Sequence, residues 1–227
     1  MATVVVLAWL RKHRIGLLAL FACVLAPLFL FGELAEEIRE QEPFSFDGSV
    51  LRFVHEHASP AMDRLMLSLS TIGSGAWVAP FDVLVCAVLL ALRRWIDALF
   101  WTLATGGAAL LNVAAKAGFA RARPTLWEAL APETSFSFPS GHAMQSMAVA
   151  TALVVLLWPT VARWPVLALG AAFTLLVGTS RVYLGVHYPS DVLAGWCASL
   201  AWVSGLAFLF YWHASLRRLS DTSSRSR

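Results

Sequence analysis

The chain has 227 residues, 59% of them hydrophobic and only 14% charged, with a mean hydropathy of +0.69. This excludes an ordinary soluble domain and a disordered chain, and indicates a protein that crosses a membrane several times. The net charge of +3 and isoelectric point near 9.0 do not make nucleic acid a partner, because the sequence has no basic helix or aromatic-basic strip to receive it.

A basic flank, Arg11, Lys12 and Arg14, precedes an apolar run from Ile15 to Gly32. About twenty residues at a rise of about 1.5 Å cross a hydrocarbon core of about 30 Å. The run is long and no clear Ala-x-Ala site precedes Glu33, so it reads as a retained first span and not as a signal peptide.

The longest polar connection follows, Glu33 to Ser74. Leu51, Val54, Met62, Leu65, Met66 and Leu69 recur within it at spacings that predict short amphipathic helices at the membrane surface. Such a segment either guides a lipid into a site or caps the outer helix ends. His55 and His57 bracket Glu56, but without a third ligand at a defined spacing they read as a solvated loop and not as a metal site.

Further spans are expected at Gly75 to Leu92, Trp95 to Lys116, His142 to Trp158, Trp164 to Thr179 and Val192 to Trp212. All should be helices, because backbone groups in lipid must be satisfied within their own segment. Trp95, Trp158, Trp164 and Trp212 stand at span ends as interfacial anchors. Asp82 lies inside the second span, matches no motif and is expected to have a structural partner. Cys23, Cys86 and Cys197 lie in spans without metal-ligand spacing and read as small buried hydrophobes. Residues 1–219 then form one membrane-embedded domain, and residues 220–227 a disordered cytoplasmic tail.

This map places Arg11, Lys12, Arg14, Arg93, Arg94, Arg163, Arg217, Arg218, Arg225 and Arg227 on one side, which the positive-inside rule makes the cytoplasm. Both termini are cytoplasmic on this reading. The outward side receives Lys116 at the end of the third span, Arg123 in the loop after it, and Ser140, Gly141 and His142 at the start of the fourth. Arg181 falls there just beyond the fifth span, and His187 and Asp191 before the sixth. The expected fold is an all-α, polytopic bundle of about six transmembrane helices with an outward-facing active site.

A phosphate ester carries close to two negative charges, and its transfer needs fixed cations and hydrogen-bond donors around the equatorial oxygens. Lys116, Arg123 and Arg181 supply cations, Ser140 a hydroxyl, and Gly141 a backbone N–H at a helix start where glycine allows close approach. A neutral imidazole at His187 can attack phosphorus, and Asp191, one helical turn on, can hold its other ring nitrogen. His142 can give a proton to the leaving oxygen.

Three segments carry these residues: Lys116-x6-Arg123-Pro124, Pro139-Ser140-Gly141-His142 and Ser180-Arg181-x5-His187-x3-Asp191. They resemble the three motifs of the type 2 phosphatidic acid phosphatase superfamily, membrane lipid phosphatases related in their catalytic core to vanadium haloperoxidases and glucose-6-phosphatase. The resemblance implies a helical-bundle core and hydrolysis of a lipid phosphate without metal or other cofactor. It also implies His187 as nucleophile, Asp191 as its partner and His142 as acid. Members of this size with an outward site resemble bacterial undecaprenyl-diphosphate and phosphatidylglycerophosphate phosphatases, so the expected partners are a lipid phosphate or diphosphate and the bilayer of the bacterial inner membrane. Two other readings stand beside hydrolysis: transfer of the phosphate to another lipid or sugar acceptor, and non-catalytic binding of a lipid phosphate.

Overall fold

The computed structural model of the chain describes residues 14–42 and 44–224, the stretch 212–224 by its backbone alone. Arg11, Lys12, Arg225, Arg227 and the side chains of Trp212, Arg217 and Arg218 lie outside the described residues. Among the described residues the regular structure is entirely helical. In chain order the helices are α1 (Arg14–Arg39, with a π turn at Phe21–Leu25), α2 (Ser45–Glu56), α3 (Pro60–Ile72), α4 (Gly75–Ala91), α5 (Trp95–Phe119), α6 (Gly141–Leu157), α7 (Arg163–Tyr183) and α8 (Pro189–Ser224).

Five helical segments are long and apolar enough to cross a membrane: α1, α3 and α4 taken together, α5, α7, and α8 as far as Tyr211. The expected fourth span is α6, whose 17 residues extend about 25 Å. It packs against α5, α7 and α8 at the centre of the bundle. Ala143, Ala148 and Ala152 are fully buried on it, and such small side chains let helices approach closely in a membrane.

Two boundaries differ from the sequence expectation for physical reasons. Helix α1 does not stop at Gly32 but continues to Arg39, because Leu34, Ala35 and Ile38 keep one face buried while the glutamates of that stretch point away. Helix α7 continues beyond Thr179, so Arg181 lies in its last turn and not beyond its end. The charge does not end the helix, since the guanidinium is bonded to Ser70 and Glu133, and the chain turns only at Gly185, whose φ is +73°. Helix α8 reaches Ser224, inside the segment expected as a tail.

The connection between the first two spans does form amphipathic helices, α2 and α3, and His55, Glu56 and His57 lie at the C-terminal end of α2. His55 stacks on Trp127 at 4.2 Å, and His57 Nδ1 lies 2.8 Å from the Phe53 carbonyl oxygen. Leu51 of α2 is fully buried and Met66 of α3 nearly so. Tyr183 donates its hydroxyl to Asp63 at 2.6 Å, tying α3 to the end of α7. The segment therefore builds one wall of the region where α5 and α7 end and α6 and α8 begin.

Phe31 of α1, Phe119 at the end of α5 and Phe138 form an aromatic cluster there, with Phe138 stacked on Phe31 at 5.9 Å and edge-on to Phe119 at 5.0 Å. Phe138 leads through a cis peptide into Pro139 and the start of α6. A Cβ at Gly195 of α8 would lie 2.9 Å from the Ser140 carbonyl oxygen, so α8 can seat against the start of α6 only because that residue is glycine. At the opposite end of the bundle, Arg94 pairs with Asp97, Tyr211 donates to Asp97, and Arg163 donates to the Trp158 carbonyl. Trp95, Trp158 and Trp164 are exposed near that end. The three cysteines are unpaired and half-buried. Asp82, expected to have a structural partner, has the Thr105 side chain of α5 within hydrogen-bonding reach of its carboxylate; it joins no ion pair among the described residues, and its Oδ1 lacks a hydrogen-bond partner.

Candidate active site

Helix α7 ends at Tyr183 and α8 starts at Pro189, whose fixed φ suits the first turn of a helix. His187 lies between them, fully buried, and Asp191 occupies the first turn of α8, also fully buried. The four-residue spacing brings His187 Nδ1 to 3.4 Å from Asp191 Oδ2. The other ring nitrogen, Nε2, lies 3.2 Å from a guanidinium nitrogen of Arg123. A guanidinium can only donate, so Nε2 is the acceptor, and the ring proton belongs on Nδ1, facing Asp191. This is the tautomer that leaves a lone pair on Nε2.

Asp191 is held by more than its histidine. Ser137 Oγ and the Tyr188 N–H also donate to Oδ2, while Arg121 donates to Oδ1. The Asp191 carbonyl accepts the N–H of Ser140 at 3.0 Å, which ties the first turn of α8 to the residue that begins α6. Burial lowers the His187 imidazole from its ordinary 6.5 to about 4, against the opposing pull of Asp191, and Arg123 and Arg181 add to the lowering. His187 is therefore neutral at neutral pH.

The cations converge from three elements. Arg123, in the loop after α5, donates to the carbonyls of Ser135 and Val186 at 2.7 Å each and to Glu133 Oε2 at 2.7 Å. Arg181 is almost fully buried and pairs with the other oxygen of Glu133. Glu133 thus bridges the two arginines. Burial acts to raise its carboxyl, but Arg181 and Arg123 together hold it below the ordinary glutamate value. Lys116, in the last turn of α5, donates to Ser135 Oγ at 2.9 Å.

Ser140 precedes α6, and its Oγ is buried without a hydrogen-bond partner, as is Nε of Arg181. Buried donors are rarely left unpaired in proteins, so each marks a place suited to an acceptor. Gly141 opens the helix; a Cβ there would lie 3.0 Å from Asn112 Oδ1. Asn112 in turn donates to the Pro139 carbonyl at 3.0 Å. His142 follows, half-buried and within electrostatic reach of Arg181, Glu133, His187 and Lys116.

All eight residues singled out by spacing, Lys116, Arg123, Ser140, Gly141, His142, Arg181, His187 and Asp191, therefore gather at one end of the bundle. Spacing did not single out Glu133, Arg121, Ser137, Asp47 or Asn112. Arg121 and Ser137 each stand two residues from a motif position, and Asp47 shares a helix face with the buried Leu51, so a polar group on an otherwise inward stripe was the signal available. Among the described residues, no three histidine, cysteine, aspartate or glutamate side chains are grouped to hold a metal ion.

The profile of the PAP2 superfamily matches residues 82–218. Phosphatidylglycerophosphatase B of Bacillus subtilis is 32% identical over 182 residues, covering 76% of this chain and 88% of that protein. An undecaprenyl-diphosphatase of Sulfolobus acidocaldarius is 46% identical over 74 residues, a third of each chain. The crystal structure of a transmembrane PAP2-type phosphatidylglycerolphosphate phosphatase from Bacillus subtilis superposes with a TM-score of 0.72 at 29% identity, covering 84% of this chain and 95% of that one.

Proposed function

The chain belongs to the PAP2 superfamily and is a membrane lipid phosphate phosphatase, and we propose that it removes the terminal phosphate of a lipid phosphate or diphosphate through a phosphohistidine at His187, at the outward face of the bacterial inner membrane. The observation that carries this reading is the orientation of His187: Asp191 faces Nδ1, and the unprotonated Nε2 faces Arg123, so the nitrogen that bears the lone pair is turned toward the cationic pocket.

In the first step Nε2 attacks phosphorus, the bond from phosphorus to the lipid oxygen breaks, and His142, which takes up a proton when the anionic phosphate binds beside it, gives that oxygen its proton. Arg123, Arg181 and Lys116 balance the charge on the equatorial oxygens, and the Ser140 hydroxyl and the Gly141 N–H donate to them. Asp191 balances the imidazolium formed at His187. In the second step His142, now neutral, takes a proton from water, the water oxygen attacks phosphorus, and the bond to Nε2 breaks. Inorganic phosphate leaves and His187 returns to its starting tautomer.

The outward placement rests on charge. Arg94 and Arg163 lie at the end of the bundle opposite this pocket, and the positive-inside rule assigns that end to the cytoplasm. Phosphatidylglycerophosphate heads the substrate candidates because the match to a phosphatidylglycerophosphatase spans 182 residues and 88% of that protein, and undecaprenyl diphosphate follows.

The test is phosphate release by the purified chain in mixed micelles containing chelator, across phosphatidylglycerophosphate, undecaprenyl diphosphate, phosphatidic acid and diacylglycerol diphosphate. Release by the wild type and none by His187→Ala is expected. Release that chelator abolishes, or that survives in His187→Ala, would overturn the mechanism.

A further inference from the structure

Helix α2 lies outside the stretch matched by the superfamily profile, yet one of its side chains bonds to residues that hold Asp191. Asp47 is 3% exposed. Its Oδ1 accepts the Ser190 N–H at 2.9 Å, and its Oδ2 accepts the Ser190 hydroxyl at 2.6 Å and a guanidinium N–H of Arg121 at 2.9 Å. Ser190 is the second residue of α8, so its N–H is one of the amides that the helix itself leaves unpaired. A carboxylate 143 positions earlier in the chain therefore caps α8 from outside.

Arg121 continues the chain of contacts. Its other nitrogen donates to Ser190 Oγ at 2.8 Å and to Asp191 Oδ1, and its guanidinium lies 4.0 Å from the centre of the Tyr188 ring. Asp47 thus grips Asp191 twice, through the backbone turn that carries it and through the arginine bonded to its carboxylate. Asp47 also supplies negative charge beside the half-buried Arg121 guanidinium. The opposite stripe of α2, Phe46, Val50 and Phe53, is exposed at helical spacing, as suits a helix lying in the bilayer interface.

We propose that Asp47 is a positioning residue for the reaction: through Ser190 and Arg121 it fixes the rotamer of Asp191, and so the tautomer and aim of His187, without touching substrate. The proposal rests on the phosphatase reading above. It assigns to the membrane-surface helix α2 a part in the chemistry, beyond covering the outer helix ends.

The experiment compares the full chain in lipid nanodiscs as wild type, Asp47→Asn, Asp47→Ala, Arg121→Gln and the Asp47→Asn/Arg121→Gln double variant, reading kcat, KM and thermal unfolding with phosphatidylglycerophosphate. Asn keeps the size of Asp and can still accept the Ser190 N–H, so it decides the matter if the Ala variant fails to fold. Asp47→Asn is expected to lower kcat by about 10- to 100-fold with KM within about twofold, as loss of a group one step removed from the reacting atoms does. The double variant should lose no more than the worse single variant, because both residues act through Asp191. A folded Asp47→Asn with wild-type kcat would overturn the proposal, as would losses that multiply in the double variant. A wild type that releases no phosphate from any lipid phosphate would instead fail the phosphatase reading, and this proposal with it.

Discussion

A guanidinium N–H of Arg123 donates to Nε2 of His187 at 3.2 Å. The same side chain also donates to the carbonyls of Ser135 and Val186, so the pair is held by three rigid contacts on two different loops. The arginine thereby keeps the proton off Nε2, and on the proposed mechanism it also stands ready to receive a phosphate oxygen.

Arg123→Lys preserves the charge but cannot reproduce those simultaneous contacts from one ammonium. A loss on the order of 10² in kcat/KM is expected from steady-state phosphate release, comparable with the removal of one fixed donor to a developing oxyanion. Activity within about threefold of wild type would mean that charge alone suffices there.

Asp191→Asn removes the acceptor that fixes the His187 tautomer and introduces an amide able to donate in the wrong direction. A drop in kcat of about 10³ to 10⁴ follows, with little change in KM, as expected when a histidine is held in the unproductive tautomer. A KM effect without a kcat effect would assign Asp191 to binding instead.

The pH dependence follows from burial of His187, which lowers it to about 4. Protonation removes the nucleophile, so kcat/KM should rise with pH through about 4, and this group should add no further limb between about 5.5 and 8. The sign for folding is the same. Because the unfolded chain binds this proton at the ordinary 6.5, stability is fully present above that value and is lost as pH falls through the window down to about 4. A nucleophile-linked limb at or above 6.5, absent from the profile of a variant altered at Asp191, would contradict the assignment.

Glu133 places a carboxylate between Arg123 and Arg181, where a phosphate would otherwise be received by both. Glu133→Gln keeps the shape and removes the competing charge. Inhibition by inorganic phosphate should then strengthen about 5- to 10-fold, read as a lower inhibition constant in the phosphate-release assay. An unchanged or weaker inhibition would show that Glu133 supports phosphate binding and does not compete with it.

Much of this architecture is legible in the sequence because its signals are local. Long apolar runs mark the helices of the bundle, and motif spacing selects the seven polar residues and one glycine that the fold brings to one end. The contacts that organise those residues are not local. Asp47 and Ser190, or Arg181 and Ser70, are joined only when helices distant in the chain pack together, and nothing in their spacing announces the pairing. Helix ends are obscured for a related reason: Glu33 and Arg181 look like stops, but one helix keeps a buried face past the first, and the charge of the second is balanced by partners from other elements. Asp82 is a further case, a polar residue whose side-chain partner, Thr105, comes from the next helix and is not announced by spacing.

The most direct test is to trap the covalent intermediate, by mixing the purified chain with a lipid phosphate radiolabelled in its terminal phosphate, quenching in alkali within one turnover, and mapping the label. An alkali-stable, acid-labile phosphohistidine is expected on the peptide carrying His187, absent from His187→Ala. Continued turnover with no label on that histidine would contradict it.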